Sequence, residues 1–263
     1  MIAITGKDNK VLKTVRSLQR KKGREETGLY FVEGVRMVQE AMEWAKDSLQ
    51  YFLVSETYAE KNPSVVQTLE TREKPAYLLR DNLFRELCNT EAPQGLGAVL
   101  TAKSLTETVS LEDSFVLILD GVSEPGNMGT IIRTAEAAGV DRVLLMKGCV
   151  DLYNPKVVRS TMGSLFRVPC VSGVSDTDIR DIKHNGFTVI ATALHDAVSI
   201  ENAKVDGKRA LVIGSEAFGV SKEILDLSDI RVYIPMSGQV ESLNAGVAAG
   251  ISMYMLKGDI HGR

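Results

Sequence analysis

Cysteine is scarce in this chain. Cys88, Cys149 and Cys170 are far apart and odd in number, and no C-x-x-C pair occurs. Neither a zinc site nor a disulfide framework is therefore indicated. His184, His195 and His261 also lack metal-ligand spacing, so no metal is expected. Long apolar runs are missing as well. The opening MIAITGKDNK has no apolar core, which argues against a signal peptide. The longest apolar helix, near Leu243–Leu256, falls short of the roughly 20 residues that a bilayer span needs. These absences point to a globular chain in a reduced, cytoplasmic setting, with no membrane partner.

A strong excess of one charge is also lacking: the net charge is −3. That sum speaks mildly against a nucleic-acid partner, but distribution matters more than total. The stretch GKDNKVLKTVRSLQRKKGR carries Lys7, Lys10, Lys13, Arg16, Arg20, Lys21, Lys22 and Arg24 against Asp8 alone. Its spacing predicts an amphipathic helix over about 9–20, with Val11, Val15 and Leu18 facing a core. Lys10, Lys13, Arg16 and Arg20 then form an outer stripe suited to a phosphate backbone. A solvated helix face would show the same pattern.

Two segments follow from the alternation of elements. The first alternates helices with the strands LYFVEG, LQYFLVS, AYLLR and LGAVLT and reads as a small α/β sandwich over 1–103. A polar stretch around 101–114 serves as linker. The second, 112–263, alternates apolar strands such as FVLILD, RVLLM and ALVIGS with amphipathic helices. Continuous apolar strands between helices predict a mostly parallel sheet covered on both faces.

In open α/β sheets ligands bind beyond the carboxyl ends of the strands, and three loops at such ends are unusual. After FVLILD comes GVSEPGNMGTIIRTAEAAGV, in which Asn127 is a predicted N-cap. Arg133 emerges near the start of that helix, with an Arg133–Glu136 surface pair as the plain alternative. The second loop, GSEAFG at Gly214–Gly219, has Walker-like glycine spacing, but Val220 stands where lysine would be required. Glu216 between the glycines would repel a pyrophosphate and suits a neutral or cationic ligand. The third loop follows RVYIPM and places Ser237, Gln239, Glu241, Ser242 and Asn244 before a helix of small residues. Ser242 or Asn244 can cap it, and Gly246 and Gly250 allow close packing against another backbone.

Together, NMGTIIR from Asn127, GSEAFG from Gly214, and IPMSG with SLNAGVAAGI resemble the three motifs of the SpoU branch of the SPOUT RNA methyltransferases. NPKVVRSTMGSLFRVP is similar to that family too, and the first segment resembles the RNA-binding domain that precedes the catalytic domain in many ribosomal-RNA members. The resemblance implies S-adenosylmethionine-dependent 2′-O-methylation of an RNA ribose, most readily in large-subunit ribosomal RNA, and no DNA partner. It also implies a deep trefoil knot and a homodimer with sites at the subunit interface.

By the same resemblance, backbone groups at Gly214, Ile234 and Leu243 hold the cofactor's adenosine, with Thr192, Ala193 and Leu194 nearby. Glu216, Gly219, Met236 and Ser242 complete that set. Arg133 is implied as the reactive arginine, with Asn127, Glu216, Ser242 and Asn244 positioning it and the nucleotide. Lys10, Lys13, Arg16, Arg20, Lys21, Lys22, Arg24, Arg36 and Arg159 are the expected RNA contacts. A guanidinium holds its proton, so Arg133 either loses it only when RNA reorganises the site or stays charged and stabilises the developing 2′-oxyanion. Ala245-Gly246 departs from the Val-Ser of many relatives and removes a hydroxyl near the site. Three other readings compete: a transfer-RNA ribose methyltransferase, a non-catalytic binding module, and a nicotinamide-dependent Rossmann enzyme. The front domain, the retained polar residues and the missing G-x-G-x-x-G argue against them in turn.

Overall fold

The structure, a computed structural model, describes residues 1–238 and 242–257. Gln239, Glu241 and His261 lie outside the described residues. The chain forms two compact units, one of Met1–Lys103 with Tyr153–Phe166 and one of Ser104–Leu152 with the chain from Arg167 onward.

The first unit holds strands β1 (Ile2–Ile4), β2 (Leu29–Glu33), β3 (Leu49–Ser55), β4 (Ala76–Leu79) and β5 (Leu96–Thr101) in the order β1-β4-β3-β5-β2. β5 runs antiparallel to both β2 and β3, and the remaining pairs are parallel. Its helices are α1 (Lys10–Ser17), α2 (Lys21–Thr27), α3 (Val35–Trp44), α4 (Glu56–Lys61), α5 (Pro63–Glu70) and α6 (Asp81–Arg85). β1 and α4 were not expected from the sequence pattern.

The helix expected over 9–20 is the shorter α1, and a second helix, α2, follows it beyond that range. Asn9 caps the first by accepting from Val11 N at 2.8 Å. Leu12, Val15 and Leu18 are buried, so Leu12 rather than Val11 leads the core face. The chain then turns, and α2 packs so closely on the end of α1 that a Cβ at Gly23 would stand 2.2 Å from the Ser17 carbonyl oxygen. Only glycine permits that approach. Arg24 corrects the sequence reading: it is buried, and its Nη1 donates to the Leu18 carbonyl at 2.6 Å. The last carbonyls of a helix lack intrahelical donors, and Arg24 supplies one. It is therefore not part of the outer basic face.

The second unit opens with β6 (Phe115–Asp120), α7 (Pro125–Ala138) and β7 (Arg142–Met146). The chain then contributes α8 (Pro155–Ser160) to the first unit, where Val158 and Phe166 join the core around Tyr30, Phe52 and Leu100. It returns as β8 (Cys170–Val174), α9 (Asp176–His184), β9 (Thr188–Thr192), β10 (Val198–Ser199), β11 (Arg209–Gly214), α10 (Lys222–Leu227), β12 (Ile230–Tyr233) and α11 (Ala245–Leu256). The seven strands lie in the order β10-β12-β9-β11-β6-β7-β8, and every pairing is parallel. Val116 and Ile118 enter one core beneath α9 and α10, while Leu117 and Leu119 are equally buried on the other face. Burial on both faces explains why β6 reads as an unbroken apolar run.

The order of the strands fixes where a ligand can sit. From β6 the chain builds outward through β7 to β8, then crosses to place β9 and β11 on the other side. The reversal lies between β6 and β11, and ligands of open α/β sheets bind in the crevice at such a switch point. No helix among the described residues is long and apolar enough to cross a membrane.

Candidate active site

The loops after β6 and β11 flank the switch point. α7 starts at Pro125, earlier than the sequence reading placed it. Proline suits a first helical position, and Glu124 is the N-cap, accepting from Gly126 N at 3.3 Å. Asn127 is thus not the cap but a first-turn residue with its amide free to reach across the crevice. Its Nδ2 donates to Glu216 Oε1 at 2.8 Å. Ser123 N approaches Glu216 Oε2 at 3.4 Å.

The Glu216 loop is tightly closed. Ser215 N donates to the Gly219 carbonyl and Gly219 N to the Ser215 carbonyl, each at 3.0 Å. Asp120, at the end of β6, accepts from Ser221 N at 2.7 Å and ties down the far side of the loop. A Cβ at Gly214 would stand 2.0 Å from the Gly219 carbonyl carbon, so the first glycine of the motif is a packing requirement. Glu216 and Phe218 are held at the tip, and Phe218 is 93% exposed.

Asn244 joins from the third loop. Its Oδ1 accepts from Gly246 N at 2.9 Å and Val247 N at 3.3 Å, capping α11. Its Nδ2 donates to Asn127 Oδ1 at 2.9 Å. Asn244, Asn127 and Glu216 thus form a chain of hydrogen bonds that links all three loops. α11 lies on α7 through its small residues: a Cβ at Gly246 would meet the Thr130 methyl at 3.3 Å, and one at Gly250 the Thr134 methyl at 3.5 Å.

Burial raises the Glu216 pKa, but the Asn127 amide and the backbone N–H groups of Glu216, Ser123 and Glu124 outweigh it, and the carboxyl ends below its ordinary value. Glu216 is therefore an anion at neutral pH. The loops 121–127, 192–199, 214–221 and 234–238 contain no lysine or arginine. A phosphate would find no partner charge there. A sulfonium such as that of S-adenosylmethionine would find Glu216, with exposed Leu194, Phe218 and Met236 as apolar surface for the rest of the molecule. The donor set fits that cofactor.

The other expected cofactor residues occupy the carboxyl ends of neighbouring strands. Thr192 Oγ1 bonds the Val212 carbonyl at 3.1 Å, Ala193 N bonds the Val232 carbonyl at 2.9 Å, and Ile234 and Met236 follow β12. Ser242 is exposed and Leu243 half-buried. Sequence reading missed Ser123 and Asp120, although an aspartate closing an apolar strand was a visible signal.

Arg133 is exposed on α7 and makes no ion pair among the described residues. The alternative pair with Glu136 does not form, because Arg167 Nε and Nη2 hold the Glu136 carboxylate. The basic face is more compensated than the sequence suggested. Lys13 pairs with Asp8 at 3.1 Å, Arg16 with Glu86 at 2.9 Å, Lys21 with Glu25 at 3.6 Å and Lys22 with Glu26 at 3.7 Å. Lys10 and Arg20 are exposed and unpaired among the described residues.

Comparison with known proteins agrees with this architecture. The model of the SpoU rRNA Methylase family matches residues 114–254, and that of the MRM3-like substrate binding domain matches 9–98. The chain is 34% identical over 258 residues, 98% of its length and 100% of the relative's, to the 23S rRNA (guanosine(2553)-2′-O)-methyltransferase RlmP of Bacillus subtilis (strain 168). An AdoMet-bound rRNA methyltransferase from Sinorhizobium meliloti superposes with a TM-score of 0.86 at 26% identity, over 96% of both chains. The SpoU methyltransferase AviRb from Streptomyces viridochromogenes, in complex with AdoMet, gives 0.85 at 28% identity, over 94% of this chain and 96% of that one.

Proposed function

The chain belongs to the SpoU rRNA methylase family, and from that membership we propose that it methylates the 2′-oxygen of a ribose in large-subunit ribosomal RNA, with S-adenosylmethionine as methyl donor. The observation that carries the reading is the bridge from Asn244 through Asn127 to Glu216, closed at the switch point of the sheet.

When bound, the cofactor supplies an electrophilic methyl group on a cationic sulfur. The chain's task is then alignment and the management of one proton. Gly214, Ile234 and Leu243 offer backbone groups to the adenosine, beside Thr192 and Leu194. Glu216 complements the positive charge. That charge fades as the methyl leaves, so Glu216 strengthens binding and positioning more than it lowers the barrier. Asn127 and Asn244 keep the carboxylate aimed, and Ser242 lies two residues before Asn244. Arg133 lies six residues along α7 from Asn127, about 9 Å at the helical rise, where an unpaired guanidinium can meet the RNA phosphate or the developing 2′-oxyanion.

We read the protein as a cytoplasmic homodimer. Val247, Tyr254 and Met255 leave apolar surface half-exposed on α11, which a second copy of the chain would cover. The three cysteines are free thiols. The trefoil path belongs to the same reading, and the return of α11 onto α7 and β11 supports it.

The test is methyl transfer from labelled S-adenosylmethionine to total RNA from cells lacking the protein, with the product mapped by resistance to alkaline cleavage. Label at one ribosomal-RNA ribose is the expected result. Label in transfer RNA alone would overturn the ribosomal assignment.

A further inference from the structure

Inside the first unit lies a cleft of about 300 Å³, removed in sequence from the three methyltransferase loops. Its walls come from the β2–α3 junction, from the loop that follows α6, and from α8 with the residues after it. Met37, Phe84, Leu96 and Met162 contribute apolar lining, and Glu33, Arg36, Gln94 and Arg159 are among its polar groups.

The charges there are not equivalent. Glu33 is already engaged: Oε2 accepts from Asn89 N at 3.0 Å, and Oε1 pairs with Arg159 Nη1 at 3.4 Å. Arg36 is exposed at the start of α3 and has no partner among the described residues. The cleft therefore carries one uncompensated positive charge. Gln94 Oε1 accepts from Val35 N at 2.8 Å, while its amide nitrogen bonds nothing among the described residues. An apolar slot with a spare amide donor and a free guanidinium matches a nucleotide: a flat base, polar edges, and an anionic phosphate at one end.

A second observation concerns the backbone. Met162 has φ +52°, a left-handed conformation that costs a β-carbon residue energy and is found disproportionately at ligand sites. The strained residue is one of those that line the cleft.

We propose that this cleft seats one unstacked nucleotide of the RNA, at a position other than the ribose that is methylated, with Arg36 on its phosphate and Gln94 on its base edge. The inference rests on the RNA-methylating reading above and adds where the substrate is gripped. The occupied cleft acts as a measuring point. RNA that presents an unpaired base at the correct distance from the target ribose is held in register, and RNA that does not is bound weakly.

The test uses the full chain and a transcript of 23S ribosomal RNA. Binding is measured across a salt series, and zero-length ultraviolet crosslinks are mapped to peptides. Crosslinks in the peptides that carry Gln94 or Met162 are expected. Arg36→Ala should raise Kd and lower the salt slope by about one. Thr90→Trp, which fills the cleft from its rim, should raise Kd about tenfold without changing the affinity for S-adenosylhomocysteine. Arg36→Lys should keep most of the salt slope. Wild-type affinity and slope in both Arg36→Ala and Thr90→Trp, while the wild-type chain methylates the transcript, would overturn the cleft alone. Variants that behave as expected, with a wild-type chain that binds but never methylates, would uphold the cleft and overturn the methyltransferase reading. No binding of the transcript by the wild-type chain would overturn both.

Discussion

Asn127 Nδ2 donates to Glu216 Oε1 at 2.8 Å across the crevice between β6 and β11. The two residues are 89 positions apart in the chain. The contact makes a carboxylate a fixed part of the site rather than a mobile surface charge, and it rests in turn on Asn244. Glutamate, with acceptor oxygens only, cannot hold this bridge without a donor facing it, and the Asn127 amide provides one.

Asn127→Ala should therefore weaken cofactor binding without unfolding the protein. Calorimetric titration with S-adenosylmethionine, which carries the sulfonium charge, is expected to show a loss of at least about tenfold, in line with the roughly 1.5–3 kcal/mol of a hydrogen bond to a charged group. Equal affinities in the variant and the wild type would mean that the bridge does not organise the site.

The pH dependence follows from the same pair. The Glu216 pKa is lowered from its ordinary value of 4.5 on folding. A group of this kind contributes stability that is present above its unfolded pKa and is lost as pH falls through its lower folded pKa. Cofactor affinity should stay flat from neutral pH down to the ordinary carboxylate range and fall only below it. Without the Asn127 amide, the decline in Asn127→Ala should begin at higher pH. Titrations at a series of pH values check this, and coincident acid limbs would contradict it.

Arg133 is exposed with no ion pair among the described residues, so its substitution should leave the fold intact. Arg133→Lys keeps a charge but loses the planar fork. The turnover rate with saturating RNA should fall about 10²–10³-fold if the guanidinium meets the developing oxyanion, with cofactor affinity unchanged. Unaltered turnover and an unaltered pH–rate profile would remove Arg133 from the chemistry.

The basic face can be dissected by pairing. Lys10 and Arg20 carry free charge, whereas Lys13 and Arg16 are engaged with Asp8 and Glu86. Each cation that neutralises a phosphate contributes about 0.7–0.9 to the salt slope. Lys10→Ala with Arg20→Ala should flatten the slope more than Lys13→Ala with Arg16→Ala. The reverse order would show that RNA displaces the intramolecular partners.

Asp113 accepts from Arg142 Nε at 3.0 Å in a nearly water-free setting, and it also fixes Ser110 N at 2.7 Å. Asp113→Ala leaves a buried guanidinium without its charge partner, which costs about 3–5 kcal/mol. A urea midpoint lowered to match, with the m-value unchanged, is the expected readout.

The alternation of strands and helices, the parallel sheet, and the three polar loops were legible in the sequence because each depends on neighbours a few residues away. Hydrophobic period declares a strand or a helix, and the small residues of α11 declare close packing whatever the partner. The family resemblance was legible for the same reason: its motifs are short and contiguous. Tertiary structure alone decided the pairings. Arg24 sits in a run of cations but turns inward to the Leu18 carbonyl, and nothing local distinguishes it from Lys22. Glu86 neutralises Arg16 from 70 residues away, so the charge of the basic stripe cannot be counted along the chain. Tyr153–Phe166 lies inside the stretch that matches the methylase family, yet it packs into the core of the first unit. Periodicity records which side of an element is buried. Which surface buries it is settled only when distant segments compete for the same contacts, and that competition placed Asn127 between Glu216 and Asn244.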